Sequence, residues 1–271
     1  MQQSERFNEM KLKIFTITTL LSISLIAISQ SGQPVNQTDK EGKKQGHWIK
    51  KSENIIVYDG FFKDDHPVGE FRRYNDDNTI KSLLVYSADG KEADATIYHP
   101  NGFVASRGKY INQLKEGKWK FYSEYTEGYL ICEEEYSKNV KNGSSVKFYP
   151  EGEIAEKLIF KNDITQGEWT QYYQNGVLCL KTNYLNGRIN GRFEVWFENG
   201  TKQLSGEYKN NIKEGRWIVY NKNGTIKYEL DYVAGFTNNR QMEIDESDFI
   251  DSLEKNKGKL SDPEITGEPW W

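Results

Sequence analysis

A repeat of about 24 residues, with the core Gly-x-Trp/Phe-x-x-Tyr, runs through most of this chain. Its phase is kept at Gly69, Gly117, Gly143, Gly167, Gly191 and Gly215, and Ala93 holds the glycine's place in a degenerate unit between the first two. A fixed period of this length marks an array of small supersecondary units. No single unit can bury enough surface to stand alone, so the core must form between neighbours and the end units need caps.

Each unit is numbered here from its glycine as position zero. Position five is aromatic throughout: Tyr74, Tyr98, Tyr122, Phe148, Tyr172, Trp196 and Tyr220. Position two is aromatic at Phe71, Trp119, Trp169, Phe193 and Trp217, but not at Ala95 and Ser145. A further aromatic lies seven residues before each glycine, from Phe62 to Tyr208, and Tyr232 repeats the mark once more. Gly46-His47-Trp48 is the relic of an earlier unit.

The runs are short, aromatic and β-branched, which suits strands, while the glycine density opposes helices. Each unit reads as two strands and two turns. Asn175-Gly176, Asn199-Gly200 and Asn223-Gly224 suit type I′ hairpins. The other turn, as in Lys209 to Gly215, reads as looser, and Gly117, Gly167, Gly191 and Gly215 are expected to form turns. Positions two and five have opposite parity. Either both sheet faces carry aromatics, or a bulge re-phases the strand. Like positions in successive units should lie roughly 10 Å apart, two strand spacings.

The pattern Tyr-x-x-x-x-x-x-Gly-x-Trp-x-x-Tyr-x-x-x-Gly, from Tyr208 to Gly224, resembles the MORN repeat, and more closely its bacterial variant, over roughly residues 42 to 232. That resemblance implies an all-β, elongated single sheet of antiparallel hairpins. It also implies scaffolding, protein-binding or lipid-contacting roles, and the antitoxin-like label often given to such bacterial repeats. Gly69, Gly117, Gly143, Gly167, Gly191, Gly215, Trp119, Trp169, Trp217, Tyr122, Tyr172, Trp196 and Tyr220 are then structural repeat residues.

Outside the repeats, Lys11 and Lys13 precede an apolar run from Ile14 to Ile28, too short for a comfortable membrane span. Residues 1–29 are expected to be an export signal cleaved near Ser29-Gln30, with translation starting at Met1 or Met10. The mature chain would then lie in the periplasm, outside the cell or at its surface. Residues 30–41 read as a linker, and 233–271 as an acidic cap or tail. Within the tail, Ser247 to Lys257 has helical character, with Phe249, Ile250 and Leu253 as its apolar stripe. Trp270 and Trp271 end the chain and are candidates for partner contact.

The formal charge is −4, and loss of the leader, with three positive and two negative side chains, moves it to about −5. Nucleic-acid binding gains no support from that balance. Cys132 and Cys179 sit two units apart, roughly 19 Å, beyond disulfide reach, and are expected to be free thiols. His47, His66 and His99 fall at different repeat positions with no metal-ligand spacing, and the acidic pairs Asp64-Asp65 and Asp76-Asp77 lack calcium-loop spacing. Catalytic and cofactor fingerprints are missing.

The sequence therefore predicts an exported, non-enzymatic protein-binding scaffold without cofactor or metal, with an antitoxin- or immunity-like inhibitor as one form. A cell-envelope glycan binder is the alternative. Peripheral lipid contact comes third, for no polybasic run supports it.

Overall fold

The computed structural model describes residues 34–239 and Ile250. The leader, the start of the linker, Trp270, Trp271 and all of the expected C-terminal helix except Ile250 lie outside the described residues.

The array opens with β1 (Gln37–Thr38), β2 (Lys44–Ser52), β3 (Ile55–Lys63), β4 (His66–Tyr74) and β5 (Ile80–Tyr86). It continues through β6 (Glu92–Tyr98), β7 (Val104–Ile111), β8 (Leu114–Tyr122), β9 (Leu130–Ser137) and β10 (Val140–Phe148). Then come β11 (Ile154–Lys161), β12 (Ile164–Thr165), β13 (Gly167–Tyr172), β14 (Leu178–Leu185) and β15 (Arg188–Ile189). The last are β16 (Gly191–Trp196), β17 (Lys202–Lys209), β18 (Ile212–Tyr220) and β19 (Ile226–Tyr232). They form one open sheet of 19 strands, antiparallel throughout. The fold is all-β, as the repeat predicts.

The two turns exchange the roles that the sequence suggests. The tight type I′ turn lies at the supposedly looser end: Lys209 pairs with Ile212, leaving Asn210 and Asn211 at φ 52° and 68°. Asp64-Asp65, Asn112-Gln113, Lys138-Asn139 and Asn162-Asp163 repeat that geometry. At Asn175-Gly176 only the glycine is left-handed, with φ 79°. There Tyr173 N–H donates to Val177 O, and Gly176 N–H donates to Tyr173 O, both at 2.8 Å. This is a three-residue loop, a type I turn closed by a left-handed glycine. Asn175 Oδ1 accepts from Val177 N–H at 3.0 Å, which fixes the asparagine locally.

The position-zero glycines also do something other than turn. Arg107 pairs with Lys120 and Lys109 with Glu116, so Gly117, Lys118 and Trp119 all face the single residue Gly108. The same two-residue bulge sets Gly215 to Trp217 against Gly206. Gly69, Gly117, Gly143, Gly167, Gly191 and Gly215 have φ between 62° and 136°, which a side chain would strain. Where Ala93 replaces the glycine the bulge vanishes, and β5 and β6 pair without a break from Ser82↔Ile97 to Tyr86↔Ala93.

Both faces carry aromatics. Trp119, Trp169, Phe193 and Trp217 are fully buried at position two, and Phe71 nearly so. The Trp119 ring lies flat on β7, where a Cβ on Gly108 would come within 2.2 Å of it. Gly206 gives Trp217 the same room, and the Phe193 and Trp217 centroids lie 6.0 Å apart. That is closer than two flat strand spacings allow. Tyr110 packs edge-on to Trp119 at 4.9 Å.

The ends differ. At the first, β1 and Asn36 cover part of β2: Asn36 N–H donates to His47 O, and Asn36 Oδ1 accepts from Ile49 N–H. At the last, Leu230 and Tyr232 are as buried as interior residues, and the helical Ile250 is buried in the same cluster. Cys132 and Cys179 are both buried, and no disulfide joins them.

Candidate functional site

Strand alternation places the position-five residues opposite the buried ladder. Tyr74, Tyr98, Tyr122, Phe148, Tyr172, Trp196 and Tyr220 are all partly exposed. The four named as repeat residues, Tyr122, Tyr172, Trp196 and Tyr220, therefore form a second, solvent-facing row. Trp119, Trp169 and Trp217 belong wholly to the core.

The turns hold this outer row in place. Tyr149 Oη donates to Tyr172 O at 2.7 Å, and Tyr173 Oη donates to Trp196 O at 2.8 Å. Asn199 Nδ2 donates to Lys222 O at 3.1 Å. These turns thus grip the backbone of the next unit at or near its exposed ring, which preorganises that part of the row and lowers the ordering cost of binding.

Charges border the rings. Lys202 Nζ stands 5.7 Å from the Trp196 ring centre and 2.6 Å from Glu194 Oε1. Lys157 Nζ lies 5.8 Å from the Tyr172 ring. Glu133 meets Lys118 at 3.0 Å and Lys120 at 3.2 Å. Burial alone would raise the Glu133 carboxyl, but hydrogen bonds and attraction from the two lysines outweigh it and hold the group below its ordinary range. Arg216 is bound to Glu229 through Nε and Nη2. A polar cleft of about 290 Å³ opens at the small Ser205, between Arg192, Glu194, Glu207 and Arg216. Aromatic anchors with a charged border are the composition of protein-binding surfaces.

The opposite face contains a feature that the sequence reading missed. At Ser145 the hydrophobic core divides in two, one cluster ending at Tyr136 and the other beginning at Leu158. Between them Lys141 Nζ meets Glu134 Oε1 at 2.6 Å, and Tyr136 Oη donates to Glu134 Oε2 at 2.6 Å. Lys147 Nζ lies 2.7 Å from Glu156 Oε1. Glu156 Oε2 accepts from Trp169 Nε1 at 3.2 Å and Gln171 Nε2 at 3.1 Å. The buried carboxylates are paired and hydrogen-bonded, as burial demands. Ser145 in place of an aromatic was the visible signal. A related pattern, lysine two residues before the glycine, sets Lys44, Lys115 and Lys213 over core rings, with Lys115 Nζ 4.7 Å from the Tyr136 ring.

The histidines do not converge. His47 Nε2 pairs with Asp59 Oδ1 at 2.7 Å, His66 Nδ1 with Asp64 O, and His99 Nε2 with Tyr122 O. Among the described residues no group of three His, Cys, Asp or Glu side chains could hold a metal ion. Nor is any helix among them long and apolar enough to cross a membrane.

Residues 141–162, 165–186 and 213–234 match the MORN repeat variant. Each matched stretch begins two residues before a position-zero glycine and ends at the first residue of a type I′ turn. No curated protein matches the chain.

Proposed function

This chain carries MORN-variant repeats, a non-catalytic repeat type that commonly binds proteins or lipids, and on that premise we propose that it is an exported, non-enzymatic scaffold. It binds another protein through the position-five face. The observation that carries this reading is the outer row itself. The inner face spends its aromatics on the core, whereas seven more, one per unit, remain partly exposed on the other side. Such a face suits extended contacts with a long partner.

Export rests on the basic start and apolar run before Ser29-Gln30. An inhibitor that neutralises a toxin outside the cytoplasm, in the manner of an immunity protein, fits this placement. Neither a cofactor nor nucleic acid has a role in the proposal.

The test is crosslinking capture from the native host's envelope, using the full chain beside a Y172A/W196A/Y220A variant. One dominant protein captured by the full chain and lost by a folded variant is the expected result. Undiminished capture by the variant overturns the assignment of the face. Sedimentation with wall material, with no protein captured, would instead favour envelope glycan, and flotation with liposomes would favour lipid.

A further inference from the structure

We propose that the outer face carries a second docking surface, at the margin opposite the aromatic row, and that it fits an acidic amphipathic helix of a partner protein. Three successive type I′ turns build it. Each is closed by one aliphatic and one cationic residue: Lys161 pairs with Ile164, Leu185 with Arg188, and Lys209 with Ile212. Their chain neighbours Phe160, Tyr184 and Tyr208 pack in the core, so strand alternation turns all six onto the outer face. Ile164, Leu185 and Ile212 are 51%, 45% and 48% exposed. Successive turns stack closely: Gly187 N–H donates to Thr165 O at 2.9 Å, and a Cβ on Gly187 would lie 3.4 Å from Ile164 Cγ2. The six side chains thus form one row, in the order cation, aliphatic, aliphatic, cation, cation, aliphatic.

The charges point to an acidic partner. Further along the same face Lys181, Lys202 and Arg216 are each paired with a glutamate of the sheet. Among the described residues Lys161, Arg188 and Lys209 make no ion pair. Asp163, in the first of the three turns, is engaged by Lys141 N–H at 2.8 Å. Unpaired cations set among exposed aliphatics call for acids set among apolar side chains. The spacing then selects the backbone. Members of the row lie about one strand spacing apart, roughly 5 Å. On a helix, residues three and four apart share one face and advance about 5 Å at each step. An extended strand repeats its face only every 6.7 Å or so, and a polyproline helix only every 9.3 Å or so. A helix with acid, apolar, apolar, acid, acid and apolar residues along one stripe therefore matches the row side chain for side chain.

The probe is a synthetic alanine-based helix of about 21 residues, with Glu, Leu, Leu, Glu, Glu and Leu on one stripe at i, i+4, i+7, i+11, i+14 and i+18. Labelled and titrated with the full chain, it should show a saturable rise in fluorescence anisotropy. A peptide of the same composition with those six residues spread round the helix should bind at least about tenfold more weakly. So should the charge-reversed chain Lys161→Glu/Arg188→Glu/Lys209→Glu, and the chain Ile164→Ser/Leu185→Ser/Ile212→Ser, against the original probe. A probe with lysine in place of its glutamates should recover binding to the charge-reversed chain, which shows that chain to be folded. Absence of saturable binding overturns the proposal. So does binding indifferent to either triple variant, or equal binding by the spread peptide. The Y172A/W196A/Y220A chain should still bind the probe, so this proposal and the position-five reading fail separately.

Discussion

Replacing Gly108 with alanine would place a Cβ 2.2 Å from Cδ2 of Trp119 and 2.3 Å from Cε2. The fully buried indole cannot yield freely. Tyr110 stands edge-on at 4.9 Å, Phe121 at 6.4 Å, and Trp119 Nε1 donates to Lys109 O at 3.2 Å. Overpacking of this kind costs about 1–3 kcal/mol, while glycine to alanine within a strand ordinarily gains about 0.5–1 kcal/mol. A net loss of about 1–2 kcal/mol is therefore expected. The chain contains its own remedy. In the degenerate unit Leu84 stands where Gly108 does and Ala95 where Trp119 does, and the two pair directly while buried. Trp119→Ala alone should cost about 3–5 kcal/mol. Adding Gly108→Leu should refill the space and recover at least about 1 kcal/mol of that loss as a coupling term. Urea unfolding followed by far-ultraviolet circular dichroism would measure the cycle. Additive single effects, or a Gly108→Ala variant as stable as the parent, would refute the argument that these residues are one packed pair.

Further expectations follow from the same geometry. Lys147→Met should cost about 3–5 kcal/mol in thermal or urea unfolding, because it leaves Glu156 buried without its cation, whereas Lys147→Met with Glu156→Leu should lose much less. Trp217→Phe should be milder than Trp169→Phe in the same assay. Trp217 Nε1 is buried without a hydrogen-bond acceptor, while Trp169 Nε1 serves Glu156. Burial pushes the phenols of Tyr86 and Tyr173 upward, and for Tyr173 its O–H facing the Cys179 sulfur as a donor adds to it. A raised folded value stabilises fully below the unfolded phenol range, so stability should be flat to about pH 10 and then fall as pH rises. Tyr86→Phe should lessen that fall in pH-dependent unfolding, and an unchanged profile would contradict burial as its cause.

The two aromatic rows were legible because an aromatic recurs at a fixed position in each, and Trp119, Trp169 and Trp217 stand out as one structural row from that spacing. The turns were harder to assign. Asn-Gly suits a type I′ turn locally, yet pairs such as Lys138-Asn139 and Asp64-Asp65 adopt it. Strand pairing on both sides fixes which turn is tightest. The bulge could be suspected from parity, but placing it required the partner residue: Gly108 and Gly206 matter only because an indole lies across them. Around Ser145 the signal was spread over several strands. Glu134 takes a place held elsewhere by Gly108 or Leu158, Glu156 one held by Leu180, and Lys147 one held by Phe121 or Val195. Each is unremarkable alone, and the ionic crossing exists only when β9, β10, β11 and β13 are set side by side. The outer row was read as structural because sequence gives parity and not exposure.

The most direct test is hydroxyl-radical footprinting of the full chain, free and bound to its captured partner, read residue by residue. Protection concentrated on Tyr122, Tyr172, Trp196 and Tyr220 is the predicted result. Unchanged oxidation at those four side chains, with protection elsewhere, would contradict the claim that the position-five face binds the partner.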